Sequence, residues 1–187
     1  MGVLALQGAF LEHCKMLEGL GAVVRLIRLP RDLADIQGIV LPGGESTTMG
    51  ELLTRAALLD PLRRAISSGL PTLATCAGMI MLADRLVDGE PGQPILGLVP
   101  LRIRRNGFGR QVDSFEVDLD IERLGNPPFH AVFIRAPVIE EVGHGVEVLA
   151  RLAGKPVAIG WGKITALSFH PELSGDDRWH RRFLEST

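Results

Sequence analysis

Cys76 lies in LPTLATCAGMIMLADRL, residues 70–86, between a short apolar run and an alanine- and leucine-rich stretch. Leu70 to Ala74 reads as a buried strand and the stretch to Leu86 as a helix, which puts the thiol at the turn between them. A helix N-terminus presents unpaired N–H groups and a partial positive charge, which favour a thiolate, the nucleophilic form of cysteine. Ala74 and Gly78 are small enough for a sharp turn with an approachable sulfur, as in the nucleophile elbow of serine hydrolases. A buried structural cysteine is the competing reading, so partners must come from elsewhere in the chain.

SFHPEL, residues 168–173, supplies two of them. Pro171 forbids a continuing helix, and in extended chain His170 and Glu172 project to the same side, so the carboxylate can hold the imidazole in one tautomer. With Cys76 they form the set that acyl transfer needs: a thiolate to attack, His170 to carry the proton and Glu172 to orient the imidazole. In PGGES, Gly43 and Gly44 let backbone N–H groups approach a developing oxyanion, and the N–H of Ala77 offers a second donor. The rival for the glycine loop is phosphate binding. Against it, GGESTT lacks the lysine of a P-loop, and neither it nor LQGAF has the spaced glycines of a dinucleotide site.

The elements that must position these residues alternate through the first half. Strands are expected over 2–6, 23–29 and 38–41, and helices over 10–20, over 47–59 and from Pro61 to near Gly69, followed by the Cys76 strand and helix. That rhythm implies right-handed crossovers and a mostly parallel sheet covered on both faces. LGLVPLRIRR, QVDSFEVDLDI, AVFIRAPVI, GVEVLARL, PVAIGW and KITALSF then read as short added strands in antiparallel hairpins. A last helix is expected over 176–185, with Ser174 or Asp176 near its N-cap. Open α/β sheets bind ligands at the carboxyl ends of their strands, where LQGAF, PGGESTT, Cys76 and SFHPEL all fall.

The 187 residues, 46% hydrophobic and 22% charged, suit one domain spanning 1–187 with a full core. A net charge of −2 with no long basic run gives no footprint for nucleic acid or an anionic membrane. Arg102, Arg104, Arg105 and Arg110 form a local cluster that either holds a small anion or is a solvated strand face. No apolar segment approaches the roughly 20 residues of a membrane span, and no cleavable leader precedes the first strand, so a cytoplasmic location is expected. Two cysteines argue against a disulfide framework or a cysteine-based zinc site, and Cys14, on a helical stripe with Phe10 and Leu17, reads as core filler.

LALQGAF, LPGGESTTMGELL, TCAGMIMLA, RRNGFGRQVDSFE, FIRAP and SFHPEL, in that order, resemble the glutaminase subunits of glutamine-dependent pyridoxal phosphate synthases, a branch of the class I (triad) glutamine amidotransferases. The resemblance covers nearly the whole chain. It implies a three-layer, flavodoxin-like α/β sandwich with a central mixed, mainly parallel sheet. It makes Cys76 the nucleophile, His170 the base and then acid, and Glu172 the orienter. L-Glutamine would be held by Gly44, Glu45 and Ser46, by Arg105, and by Ile134 and Arg135. The charges agree, since an α-ammonium group wants a carboxylate such as Glu45 and an α-carboxylate wants arginine or backbone donors.

Gln7 would organise the oxyanion site when a synthase (lyase) subunit docks in a hetero-oligomeric complex. No cofactor or metal is implied, and ammonia would pass to the partner, which builds pyridoxal 5′-phosphate. Ala74 stands where the family has glycine, and Gly107 where it has alanine; the methyl at 74 is compatible with the turn unless that residue needs a positive φ. Competing classes are a glutaminase serving another synthase, a cysteine protease or deglycase on a related sheet, and a non-catalytic glutamine-binding regulatory subunit.

Overall fold

The structure, a computed structural model, describes residues 1–105 and 114–187. The first strand, β1 (Gly2–Leu4), leads into α1 (Phe10–Gly19), and β2 (Arg25–Ile27) and β3 (Ile39–Leu41) follow. The helical region after β3 divides into α2 (Ser46–Arg55) and α3 (Leu59–Ser67) rather than running unbroken from 47 to 59. Ala57 takes φ 53°, Leu58 N–H bonds back to the Leu53 carbonyl and Ala57 N–H to that of Thr54, a Schellman stop built on alanine.

β4 (Thr72–Thr75) delivers Cys76 to α4 (Ala77–Leu82), which is shorter than its apolar run suggests. Ala83 turns extended, and β5 (Ala83–Leu86) pairs parallel with β6 (Val99–Arg104). Leu86 there stands opposite Ile103, while Asp84 and Arg85 face solvent; sheet pairing outweighs continued helix.

β7 (Ser114–Leu119) and β8 (Phe129–Ile134) form an antiparallel pair. AVFIRAPVI is two strands, because Arg135 takes φ 43° and separates β8 from β9 (Val138–Val142). The chain closes with β10 (Glu147–Leu152), β11 (Lys155–Trp161), β12 (Ile164–Leu167) and α5 (Arg178–Glu185). α5 starts later than expected: Asp177 holds the N-cap position without a side-chain bond, and Asp176 Oδ1 accepts the N–H of Arg178 while Ser174 Oγ accepts that of Asp176.

Among the described residues, seven strands form one sheet in the order β10-β11-β12-β4-β3-β1-β2. β12 through β2 run parallel, and β11 and β10 add antiparallel strands at one edge. The mixed, mainly parallel sandwich is the expected one; the parallel β5–β6 pair departs from the expectation that added strands are antiparallel. Both faces of the central strands are covered, which explains their continuous apolar runs. Leu4, Ile39, Leu41 and Ala74 pack with α2, α3, α4 and β6. Val3, Val40 and Leu73, one residue out of phase, pack with α1, α5 and the β7–β8 pair, where Phe129, Phe133, Phe169 and Trp179 form an aromatic cluster.

Arg102 and Arg104 pair with Glu141 and Glu140 across β6 and β9, a solvated ion-pair ladder and not an anion site. Arg110 and Gly107 lie outside the described residues. No helix is long and apolar enough to cross a membrane among the described residues.

Candidate active site

The strand order β12-β4-β3-β1 sets four loops side by side at one end of the sheet. Leu167 stands opposite Thr75, and Leu41 opposite Ala74, so the chains leaving β12, β4 and β3 emerge at one level as His170, Cys76 and Gly43. Cys76 N–H bonds to the Leu167 carbonyl at 2.8 Å, and His170 N–H to the Val132 carbonyl at 2.8 Å, tying the histidine loop to β8.

Cys76 adopts φ 48° and ψ −105°, a left-handed conformation rare for a side-chain-bearing residue and of the kind seen at strained nucleophile turns. Gly78 makes the turn possible, since a Cβ there would lie 2.1 Å from the Leu41 carbonyl oxygen. Ala74 sits inside β4 and is not among the positive-φ residues, so its methyl is accommodated. The thiol approaches the Ile134 carbonyl at 3.8 Å.

His170 Nδ1 lies 2.7 Å from Glu172 Oε1, with both residues buried. Burial works against the imidazolium, but hydrogen bonding to Cys76 and the bond and charge of Glu172 outweigh it and push the His170 pKa to about 10. Burial alone would raise the Glu172 carboxyl; His13 and the bond to His170 overcome it and hold the group below its usual range. Gly43 is packed against this pair, because a Cβ on it would meet His170 Cε1 at 2.3 Å.

A cavity of about 570 Å³ opens over the sulfur. Cys76, His170, Gly43, Gly44, Glu45, Ser46, Arg105, Ile134, Arg135 and Gln7 all line it, so every candidate except Ala77 and Glu172 borders one space. Ala77 follows the thiol on the buried first turn of α4, and Glu172 stands behind the His170 ring. Glu45 also caps α2: its carboxylate accepts the N–H groups of Thr47 and Thr48 and the Thr48 hydroxyl. Those bonds outweigh a desolvation that acts the other way and keep the Glu45 carboxyl low.

Arg105 extends from the end of β6 to the Thr47 hydroxyl at 2.8 Å, with its other terminal nitrogen on the Asp88 carbonyl and with Glu45 at 3.9 Å. Gln7 Oε1 accepts the N–H of Glu45 at 2.9 Å, and Ala9 N–H bonds to the Gly43 carbonyl at 3.0 Å. Thr47, Asp88 and the two buried histidines His13 and His180 near Glu172 escape the sequence reading. For His13 a signal exists, a polar residue on the apolar stripe of α1 beside Cys14 and Leu17. Among the described residues no group of three histidines, cysteines and carboxylates is set to hold a metal ion.

A thiol on a strained turn, an imidazole-carboxylate pair beside it, and a polar cavity bordered by the carboxylates of Glu45, Glu51 and Glu90 and the guanidiniums of Arg105 and Arg135 are equipped for acyl transfer from a small zwitterionic amide. The whole chain is similar to known proteins. The chain is 55% identical over 185 residues to the pyridoxal 5′-phosphate synthase subunit PdxT of Frankia alni, covering 99% of this chain and 93% of that protein. It is 54% identical to the PdxT of Herpetosiphon aurantiacus, with 98% of each chain covered. A crystal structure of a glutamine amidotransferase superposes with a TM-score of 0.93 at 50% identity, covering 99% of this chain and 97% of that one. A glutamine amidotransferase from Thermotoga maritima shares the fold at 14% identity and a TM-score of 0.66, covering 99% and 83%. Residues 3–187 match the model of one family, and with the thiol, imidazole and carboxylate assembled over its cavity this chain belongs to the SNO glutamine amidotransferase family.

Proposed function

We propose that the chain, as one glutaminase domain, hydrolyses L-glutamine to L-glutamate and ammonia and hands the ammonia to the synthase subunit of a pyridoxal 5′-phosphate synthase. The observation that carries this reading is the placement of Cys76 on a left-handed turn beside the His170–Glu172 pair, at the floor of a cavity that also holds Glu45 and Arg105. Full-length similarity to PdxT proteins supports the choice of partner.

His170 takes the thiol proton as the sulfur attacks the γ-carboxamide carbon, and its raised pKa suits it to hold that proton. The tetrahedral oxyanion is met by backbone N–H groups at Gly43, Gly44 and Ala77. As the C–N bond breaks, His170 gives its proton to the departing amine, and ammonia leaves a γ-glutamyl thioester on Cys76. His170 then takes a proton from water, hydroxide adds to the thioester carbon, and glutamate departs as the sulfur recovers the proton through His170. Glu172 keeps the imidazole aligned through both steps.

Glu45 receives the substrate's α-ammonium and Arg105 its α-carboxylate, with Gly44, Ser46, Ile134 and Arg135 closing around the backbone atoms of the amino acid. Gln7, already bonded to Glu45 N–H, links the site to the docked synthase, so Gln7→Ala removes partner-stimulated turnover without unfolding the chain. The complex works in the cytoplasm, and the glutaminase requires no metal or cofactor of its own.

Glutamate release from L-glutamine, measured with and without the synthase subunit and for Cys76→Ala, tests the reading. Turnover that rises with the partner and vanishes in the variant supports it. A folded protein with a competent synthase and no turnover would replace it with a non-catalytic glutamine-binding subunit.

A further inference from the structure

Behind Glu172, on the side away from the cavity, α1 and α5 each bury a histidine completely, His13 and His180, both 0% exposed. The rings sit 5.1 Å apart at a 47° tilt, and His13 Nδ1 lies 2.8 Å from His180 Nε2. The other nitrogen of His13, Nε2, lies 3.2 Å from Thr75 Oγ1 and 3.3 Å from Glu172 Oε2. Glu172 Oε1, on the opposite side of the carboxylate, is engaged by His170. One line of groups therefore runs from α5 through α1 and Glu172 to His170 and the Cys76 thiol. Oε2 has no aligned hydrogen bond among the described residues, and His13 Nε2 lies 3.3 Å from it.

The protons in this line can be placed by elimination. Burial keeps both histidines neutral: it pushes the His180 pKa to about 3 and lowers that of His13, against the pull of Glu172. A neutral imidazole has one N–H, and the contact between the rings needs one donor and one acceptor. If His13 donated from Nδ1, its Nε2 would turn a lone pair toward the Glu172 carboxylate. His180 would then carry its own proton on Nδ1, which has no partner among the described residues.

The reverse arrangement leaves neither histidine with an unmatched N–H. His180 donates from Nε2 to His13 Nδ1, and His13 donates its Nε2–H to Thr75 Oγ1 with that positive edge 3.3 Å from Glu172 Oε2. What remains is an unused lone pair on His180 Nδ1, and unpaired acceptors are tolerated inside proteins more often than unpaired N–H groups.

We propose that His13 is a positioning residue for the Cys76, His170 and Glu172 triad: it braces the second oxygen of Glu172, and His180 fixes the tautomer in which it can do so. A carboxylate held at one oxygen can rock about its last side-chain bond and carry the attached imidazole with it. A donor at the other oxygen fixes its plane. The inference rests on the proposed roles of those three residues. Partners one layer out from a catalytic site that act in this way are worth about 10- to 100-fold at metal centres, which sets the scale expected here.

Four variants, Cys76→Ala, His13→Leu, His13→Gln and His180→Phe, are compared with the parent chain in complex with the synthase subunit, scoring kcat and KM for L-glutamine at a temperature where each is folded. His13→Leu should lower kcat about 10- to 100-fold with KM within about 3-fold of the parent. His13→Gln, whose amide can place an N–H near the Nε2 position, should recover most of that loss, and His180→Phe should fall between the two. A merely structural histidine would let the apolar leucine keep full kcat. The inference is therefore overturned by His13→Leu within about 3-fold of the parent kcat, or by a folded His13→Gln as slow as His13→Leu.

Nitrogen-15 NMR of histidine-labelled protein provides a measurement that does not depend on turnover. His13 and His180 should both be neutral and protonated at Nε2 at neutral pH, and a His13 proton on Nδ1 overturns the arrangement. Persistent turnover in Cys76→Ala would remove the triad reading itself. An inactive Cys76→Ala alongside an unimpaired His13→Leu would remove this inference alone.

Discussion

Leu167 stands opposite Thr75 in the parallel pairing of β12 with β4, and the Cys76 N–H closes onto the Leu167 carbonyl at 2.8 Å. The thiol and the histidine loop thus leave the sheet at the same height. One step of register would turn every side chain of β12 to the other face, so burial of Ala166 on one side and Leu167 on the other fixes the approach of His170 to the sulfur as firmly as it fixes the core.

Glu172 is buried and bonded to His170 Nδ1 at 2.7 Å, so Glu172→Gln keeps the shape while losing the charge and allowing the wrong imidazole tautomer. The kcat for glutamine hydrolysis should fall about 10²- to 10⁴-fold with KM nearly unchanged. Steady-state kinetics with the synthase subunit present decides this, and a loss below about 10-fold would remove Glu172 from the orienting role.

Gly43 has no room for a side chain. Its Cβ would sit 2.3 Å from His170 Cε1 and 3.4 Å from Cys76 Cβ. Gly43→Ala should therefore displace the imidazole and reduce turnover by at least about 100-fold, because misplacing a catalytic group by about 1 Å has that effect. Its unfolding midpoint should shift far less than its activity, and a variant with more than a tenth, roughly, of parental kcat would contradict the crowding.

Glu45 and Arg105 should act on substrate capture. Glu45→Gln and Arg105→Ala are expected to raise the KM for glutamine about 10- to 100-fold and to change kcat little, as loss of uniform binding does. Glu45 also caps α2, so Glu45→Ala should lose roughly 1 kcal/mol of stability in addition. A pure kcat defect in Arg105→Ala would place that guanidinium at the reacting carbon instead.

Stability should fall in acid through the buried histidines. Burial, helped by His13 and opposed by Glu172, lowers the His180 pKa from 6.5 to about 3. Between those values the unfolded chain binds the extra proton. The stabilisation is therefore complete above 6.5 and lost as pH falls below it, at up to about 1.4 kcal/mol per pH unit for each such histidine. His13 is lowered in the same sense, and Glu172, held low in the folded state, adds a loss at lower pH. His170 is raised to about 10, so its contribution persists through the acid range and declines only as pH rises above 6.5. Urea midpoints at about pH 7, 6 and 5 should drop more steeply for the parent than for His180→Phe, and parallel slopes would refute it.

The residues of the candidate site were legible in the sequence because their pattern is written locally. A thiol between an apolar strand and a helix, two glycines after another strand, and a histidine and glutamate flanking a proline announce themselves by residue type and spacing. The alternation of strands and helices likewise required a parallel sheet covered on both faces, since only that arrangement buries continuous apolar runs.

Strand order and register were decided by tertiary packing, because they join residues whose separation leaves no periodic trace. β5 is an example: its apolar neighbours favour helix locally, and pairing with β6 overrides that preference. Arg102 and Arg105 look alike in the sequence, yet one ends in an ion-pair ladder and the other at the cavity. His13 and His180, 167 positions apart, read as polar residues on amphipathic helices. Only the docking of α1 and α5 onto the same face of the sheet turns them into a hydrogen-bonded pair behind Glu172, since a buried imidazole must find its partners wherever the fold brings them.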